Sequence, residues 1–411
     1  MAATIPSAIL GLRGQCVKSI SWSEAEQSLM VHCDRDQRFA PVAHPGGGRC
    51  TVNRRLRRPV RDLPLWGRAV TLSIEYCQVK VGATDRRVEY LPFVGAGMGY
   101  THRFCRFVSQ LCRHMPIDAV ARYIGASWRT IKAMDQRTLK AELPHLDPGG
   151  LGHLRYLGVD EVARAKGHDY LTVVYNLETG ELVWVTEGRT KTGLAAFYDA
   201  LSESCADSIE AVAMDMWPAF IRATQEHLPQ ADIVFDRFHV MQHYSKVIDR
   251  VRRSEFKKAA KDDKALLVGS RYLLLKNAER LSDAQQTRLQ DLLTANARLN
   301  TIYALKEQLQ QLWDKPASKR TMAIRLHQWC ALARATQLAP LRRFAGFLAR
   351  HAIGICNYAS HPISNGRVEA RNVSIGMIRK RARGLLDTDY FKLKIRQASV
   401  PEQPLGLYAL T

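Results

Sequence analysis

The chain holds no run of about 18 consecutive apolar residues, so no membrane-spanning helix organises it. Its opening residues, MAATIPSAILGLRGQ, are only weakly apolar and carry no basic lead before a long apolar block. No secretory signal is read there, and the expected place is the cytoplasm. C-x-x-C pairs are missing among the nine cysteines: Cys16, Cys33, Cys50, Cys77, Cys105, Cys112, Cys205, Cys330 and Cys356. Their odd number and scattered spacing argue against a disulfide framework and for small buried residues or free thiols. Internal repeats and a low-complexity tail are also missing. Acid is the scarce charge: 39 Asp plus Glu stand against 60 Lys plus Arg, a balance of +21. In a chain of ordinary hydrophobicity (46%), that excess points to a polyanionic partner. Ribosomal, nucleoid and DNA-processing proteins share this signature, so charge alone does not choose among them. The length, 411 residues, suits two to four domains.

What is present falls into segments. Residues 1–95 read as a small β-rich basic module, with strands expected at Ser28–Cys33, Ala69–Val81 and Val88–Pro92. Between the first two lies HPGGGRCTVNRRLRRPVRDLPLWG, whose basic run Arg54–Arg61 is either a phosphate contact or a solvated loop. Residues 96–145 read as helices: Phe104–His114, then Ile117–Tyr123 after Pro116. A Gly125-Ala126 turn follows, and then a helix N-capped by Ser127. Two short helices joined by a glycine turn make a helix-turn-helix, from which Arg129, Lys132 and Arg137 would project to DNA.

After the PHLDPGG linker the pattern changes. Strands are expected at Leu157–Val162, Tyr170–Asn176 and Leu182–Thr186, and a helix at Thr192–Cys205. A strand at Ile209–Met214, a helix at Ala219–His227 and a strand at Ile233–Phe235 complete the series. Three strands, helix, strand, helix, strand is the order of a ribonuclease-H-like domain, a mixed sheet covered by helices. The fold class is therefore read as an α/β core over 151–238, with a large all-helical insertion over 239–358. Residues 359–411 return to the core as a last helix, from near Ser364 to Arg383, and a tail.

Phosphodiester cleavage and strand transfer suit two hard divalent cations, which need carboxylates converging from separate elements. Asp160 ends the first core strand in LGVDEV, and Asp215 ends the fourth in AVAMDMW. In a ribonuclease-H-like sheet those strands are neighbours. Glu369, on the late helix, could close the site from above. Glu369, Asn372, Gly376, Arg379 and Arg383 recur at steps of three and four and share one helix face. A carboxylate followed by cations suits a metal site flanked by phosphates, with Arg379, Lys380 and Arg383 as the phosphate contacts. Val368, Ile375, Ile378 and Ala382 form the neighbouring apolar stripe. Glu161 adjoins Asp160, but consecutive strand residues face opposite ways, so only one can face the site; Asp160 is the choice. Trp217, just after Asp215, either stacks on an unpaired base or packs in the core.

Three words carry a resemblance: LGVDEVARAKGHDYLTVVYNLETGELVWV, AMDMWPAFIRATQEHLPQADIVFDRFHV and SNGRVEARNVSIGMIRKRARGLLDTDYFKLKI. From about Leu157 to Arg396 the chain resembles the DDE transposases of bacterial insertion sequences, of the ISL-three family; the RDLPLWG module and helix-turn-helix extend the likeness forward. The resemblance implies Asp160, Asp215 and Glu369 as a triad holding two Mg²⁺ ions, with Mn²⁺ able to substitute. Asp236 and His239 match an Asp-x-x-His pair of such enzymes, in a structural or a catalytic role. Two departures stand out. Ala370 and Gly376 replace the glycine and lysine usual in the last motif, and the paired C-x-x-C zinc module of relatives is reduced to Cys33, His44, Cys50 and Cys77. Those four could make a tetrahedral zinc site, but without paired spacing a metal-free remnant is expected.

The expected activity is Mg²⁺-dependent cleavage and joining of double-stranded DNA at the element's terminal repeats and at a target. A homo-oligomer on bacterial nucleoid DNA would do this, with no membrane involved. Two rivals remain: a catalytically inactive, transposase-derived DNA-binding regulator, and a structure-selective nuclease or resolvase on the same fold.

Overall fold

The computed structural model describes residues 11–25, 27–82, 84–95, 97–165, 169–260, 264, 266–314, 318–382 and 387–401; the side chains of residues 165, 278, 367, 369 and 370 are not described. The chain divides into two compact units, residues 1–144 with 381–411 and residues 145–380. Among the described residues no helix is long and apolar enough to cross a membrane.

The first unit opens with a five-stranded sheet of β1 (Gln15–Ser23), β2 (Ser28–Arg35), β3 (Thr51–Leu65), β4 (Arg68–Val81) and β5 (Asp85–Val88). Its order is β1-β2-β4-β3, with β5 also on β4, and β2 and β4 run parallel. Val31, Val60, Leu72, Ile74 and Phe93 fill its core. Two strands were not expected. These are β1 and β3, the latter containing the basic run Arg54–Arg61. Its arginines break the apolar alternation, yet several are committed inside the unit. Arg57 donates to the carbonyls of Cys33 and Ser73 and pairs with Asp34, while Arg58 reaches the Gly95 carbonyl and lies 5.2 Å over Tyr76. Pro59 is tolerated because β3 is an edge strand in the path. The strand expected at Val88–Pro92 ends at Val88.

The helix-turn-helix follows as α1 (His102–His114), α2 (Ile117–Ile124) and α3 (Trp128–Glu142). Gly125 makes the turn at φ 68°, a left-handed conformation that favours glycine. Ser127 caps α3 by accepting from the Thr130 N–H at 3.1 Å. The last helix, labelled α15 below (Thr388–Ser399), closes this unit. Tyr390 and Leu393 pack on Leu139, and the Lys394 ammonium donates to Asp135 of α3 and to the Cys112 carbonyl, each at 3.1 Å. Sequence placed these residues with the catalytic core; the buried charge pair draws them to the helix-turn-helix instead.

The second unit holds a mixed sheet of β6 (Tyr156–Ala165), β7 (Asp169–Asn176), β8 (Leu182–Glu187), β9 (Ala211–Met214) and β10 (Asp232–Phe235), in the order β10-β9-β6-β7-β8. β6, β7 and β8 form an antiparallel meander, and β9 and β10 add parallel to β6. The single helix expected after β8 is broken into α4 (Lys191–Asp199) and α5 (Glu203–Asp207), because Ser202 caps a new start by accepting from Cys205 N–H. α6 (Pro218–His227) joins β9 to β10.

The helical insertion comprises α7 (Arg237–Lys258), α8 (Ser270–Leu275), α9 (Asp283–Ala295), α10 (Ala297–Asp314), α11 (Lys319–Ala335), α12 (Ala339–Arg350) and α13 (Ala352–Cys356). Buried Tyr244 organises it: its ring meets Trp329 and Phe344 edge-on, and its hydroxyl donates to the Ile302 carbonyl. The late helix, α14, runs Gly366–Arg381, later than the expected start at Ser364; Arg383 and its glycine stop lie outside the described residues.

Candidate active site

Strand register brings the first two acids together. β6 and β9 pair in parallel up to Gly158 opposite Ala213, after which β9 ends. Two residues beyond that pair on each segment stand Asp160 and Asp215, close enough for the Asp215 charge to act on the Asp160 carboxyl. Asp160 is therefore not at its own strand's end, since β6 continues to Ala165; it lies where its neighbour stops. Glu161 points the other way, to an ion pair with Arg189 at 3.2 Å.

The Asp160 carboxylate is 9% exposed. Burial pushes its pKa up to about 6; the Glu161 and Asp215 charges push the same way, while the Glu161 N–H and nearby His239 oppose them. Its Oδ1 accepts from the Glu161 N–H at 2.8 Å and its Oδ2 from Asn372 Nδ2 at 2.7 Å. Asp215 Oδ1 accepts from Met216 N–H at 2.6 Å, and its Oδ2 lies 3.8 Å from His239 Nδ1.

A latch then fixes α14 over this face. Asp236, 4% exposed, caps α7 through the Phe238 N–H, and its other oxygen accepts from the Asn365 N–H at 2.5 Å. Asn365 in turn donates to the Val159 carbonyl, beside Asp160, at 3.1 Å. Below it Gly158 leaves no room for a side chain: a Cβ there would stand 2.9 Å from both Asn365 Oδ1 and Val368 Cγ2. Val368 and Ile375, each 1% exposed, seat the helix. Glu369 lies on α14 three residues before Asn372; its side chain is outside the described residues.

The donor set fits a hard cation. It offers two carboxylates at the end of one strand pair, with the Asn372 side-chain oxygen buried beside them and lacking any hydrogen-bond partner. Among the described residues no group of three His, Cys, Asp or Glu side chains stands ready to hold a metal. Of the four residues considered for zinc, the Cys33 thiol is buried and donates to the Val31 carbonyl in its own strand, Cys50 donates to the Gly48 carbonyl, and Cys77 is buried.

Other expected contacts have definite surroundings. Trp217 donates its indole N–H to the Arg189 carbonyl at 3.0 Å, and the Arg189 guanidinium lies 4.2 Å over its ring, so a protein cation already covers it. Arg379 donates to the Ala163 carbonyl at 2.7 Å, whereas Lys380 is exposed. On α3, Arg129 and Arg137 are exposed, but Lys132 is held by Asp387 at 2.7 Å between the Trp128 and Tyr390 rings. Arg383 lies outside the described residues. Sequence reading missed Gly158 and Asn365. A lone glycine in an apolar strand signals close approach, and an Asn just before a helix signals a side chain that bonds backbone.

Residues 157–395 match a family model described as a transposase, and residues 89–139 match the helix-turn-helix domain of transposase family ISL3. Over 398 residues, 94% of this chain and 96% of the relative, the chain is 34% identical to the transposase for insertion sequence element IS1001 of Bordetella parapertussis. It is 27% identical over 343 residues, 78% of this chain and 76% of the relative, to the transposase for insertion sequence element IS1557 of Mycobacterium tuberculosis.

Proposed function

The chain belongs to the ISL3 family of transposases, DNA-binding enzymes that cut and transfer DNA, and on that premise we propose that Asp160, Asp215 and Glu369 are the metal-binding triad of a ribonuclease-H-like core. The observation that supports this reading is the pairing of Gly158 with Ala213, two residues before Asp160 and Asp215, together with the bond from Asn372, on the helix bearing Glu369, to Asp160. Divalent metal, when bound there, supplies Lewis acid to the attacking and leaving oxygens of the phosphodiester. Mg²⁺ is the expected ion, two per site, with Mn²⁺ as substitute.

The chain's own residues do the rest. Asn372 holds one oxygen of Asp160, and Asp236 with Asn365 holds the third acid's helix to the sheet. His239 faces Asp215 across 3.8 Å. Arg129 and Arg137 on α3 bind the terminal repeats, and exposed Lys380 meets phosphate near the site. Water first hydrolyses the bond at each element end; the freed 3′-hydroxyl then attacks target DNA in line. No covalent protein–DNA intermediate forms. Two ends must be paired, so the working form is a homo-oligomer on DNA.

The test uses linear DNA carrying the element's own ends, with Mg²⁺, and wild type beside Glu369→Gln. Cutting and joined products from wild type, with binding alone from the variant, support the triad. Binding without cutting by either protein under Mg²⁺ or Mn²⁺ makes the chain a regulator. Cutting without joining makes it a nuclease.

A further inference from the structure

The first turn of α7 stands at the acids, and the helix then leads away from them. His239 lies 3.8 Å from Asp215, and steps of four, three and four from His239 reach His243, Lys246 and Arg250, with Lys257 two turns further. These residues share one stripe. Half-buried His243 senses both ends of its stretch: its pKa is lowered by burial and then by the Lys246 charge, against the pull of Asp215. Lys246, Arg250 and Lys257 are exposed. The two acids of this stretch, Asp249 and Glu255, lie off the stripe and are paired: Asp249 with Arg252 and Arg253 at 2.8 and 2.9 Å, and Glu255 with Arg298 at 3.0 Å.

A second helix lines the same path. α12 packs along α7 through Phe344 against Tyr244 and through Phe347, whose ring lies 4.8 Å from that of His243. Its sequence, APLRRFAGFLAR, contains no acid. Arg343 and Arg350 stand one turn before and after Phe347, both exposed. Lys246, Arg250, Arg343 and Arg350 thus border one aromatic seam that starts at Asp215. A solvated helix face ordinarily mixes both signs; here the seam is cationic from end to end, as a phosphate backbone requires.

We propose that the α7–α12 seam is a second DNA surface, which holds the duplex flanking the reacting bond through phosphate contacts from Lys246, Arg250, Arg343 and Arg350. It depends on the active-site reading only in naming Asp215 as its origin. Its contacts are to backbone, so it fixes the position of the duplex and reads no sequence.

The experiment measures binding of the full chain to a generic linear duplex as salt is raised. Replacing all four cations by alanine lowers the steepness of log K against log salt by about 3 to 4, since each phosphate contact contributes about 0.9. Exchanging Lys for Arg and Arg for Lys at the four positions keeps the wild-type slope. An unchanged slope in the alanine variant overturns the proposal, and so does an equal loss in the exchange variant, which would indicate disturbed folding rather than lost charge. Asp215→Asn separates the two readings. It is expected to lose cutting and keep the slope; continued cutting would sink the triad and leave the seam standing.

Discussion

Asp160 is stored inside the protein as a reluctant acid. Its carboxyl titrates at about 6, against about 4 for the unfolded chain. Between those values the folded, metal-free protein holds a proton that the unfolded chain has lost. Stability therefore falls as pH rises through the window from about 4 to 6, and stays lowered above it. With chelator present, Asp160→Asn is expected to be more stable than wild type at pH 7 by about 1 to 3 kcal/mol, with the gap closing by pH 4. Adding Mg²⁺ should raise the melting temperature of wild type and not of the variant. Equal melting of the two proteins at pH 7 would show that the carboxylate is not penalised by burial. Asp160 and Asp215 were legible because one is an acid set in an apolar strand and the other directly follows one. The partners of Lys132 and Arg379 were not: sequence shows that a side chain is charged, not that Asp387, 255 residues away, will take it.

Elements were legible wherever hydropathy carried the period, as in the apolar runs of β9 and β10. β3 failed that test because its arginines alternate in structure but not in polarity, and their commitments to carbonyls are long-range. The latch between β10, β6 and α14 is another such feature. Asp236 must accept from two N–H groups at once, one on α7 and one at the start of α14. An asparagine there has one acceptor and would leave the second N–H facing an NH₂ group. Asp236→Asn is thus expected to reduce metal-dependent cutting tenfold or more, with DNA affinity unchanged, because α14 is no longer held against the strand bearing Asp160. Asn365→Ala should do the same, and the double variant should cost little beyond either single one, since both break one chain of bonds. Additive losses, or a parallel loss of DNA binding, would mark both residues as general stabilisers instead.

The chain leaves its first unit at residue 144 and returns to it at residue 381, so the helix-turn-helix is completed by the other end of the molecule. No local pattern reveals such a closure, because Asp135 and Lys394 are 259 residues apart. The closure carries weight. Asp135 is fully buried, and besides Ser109 its partners are Lys394 and the Tyr390 hydroxyl, both on α15. Ending the chain at residue 382 removes them and strands a carboxylate in an apolar interior, at about 3 to 5 kcal/mol. It removes no residue of α3 and leaves Arg129 and Arg137 in place. The shortened chain is nonetheless expected to lose melting temperature in this unit and to bind DNA weakly. Adding Asp135→Asn to it should restore part of both, because the stranded charge, not a missing DNA contact, is the cause. A shortened chain that melts and binds like wild type would show that the helix-turn-helix stands without the C-terminal helix; one that Asp135→Asn fails to rescue would place the loss in the packing of Tyr390 and Leu393 on Leu139 rather than in the charge.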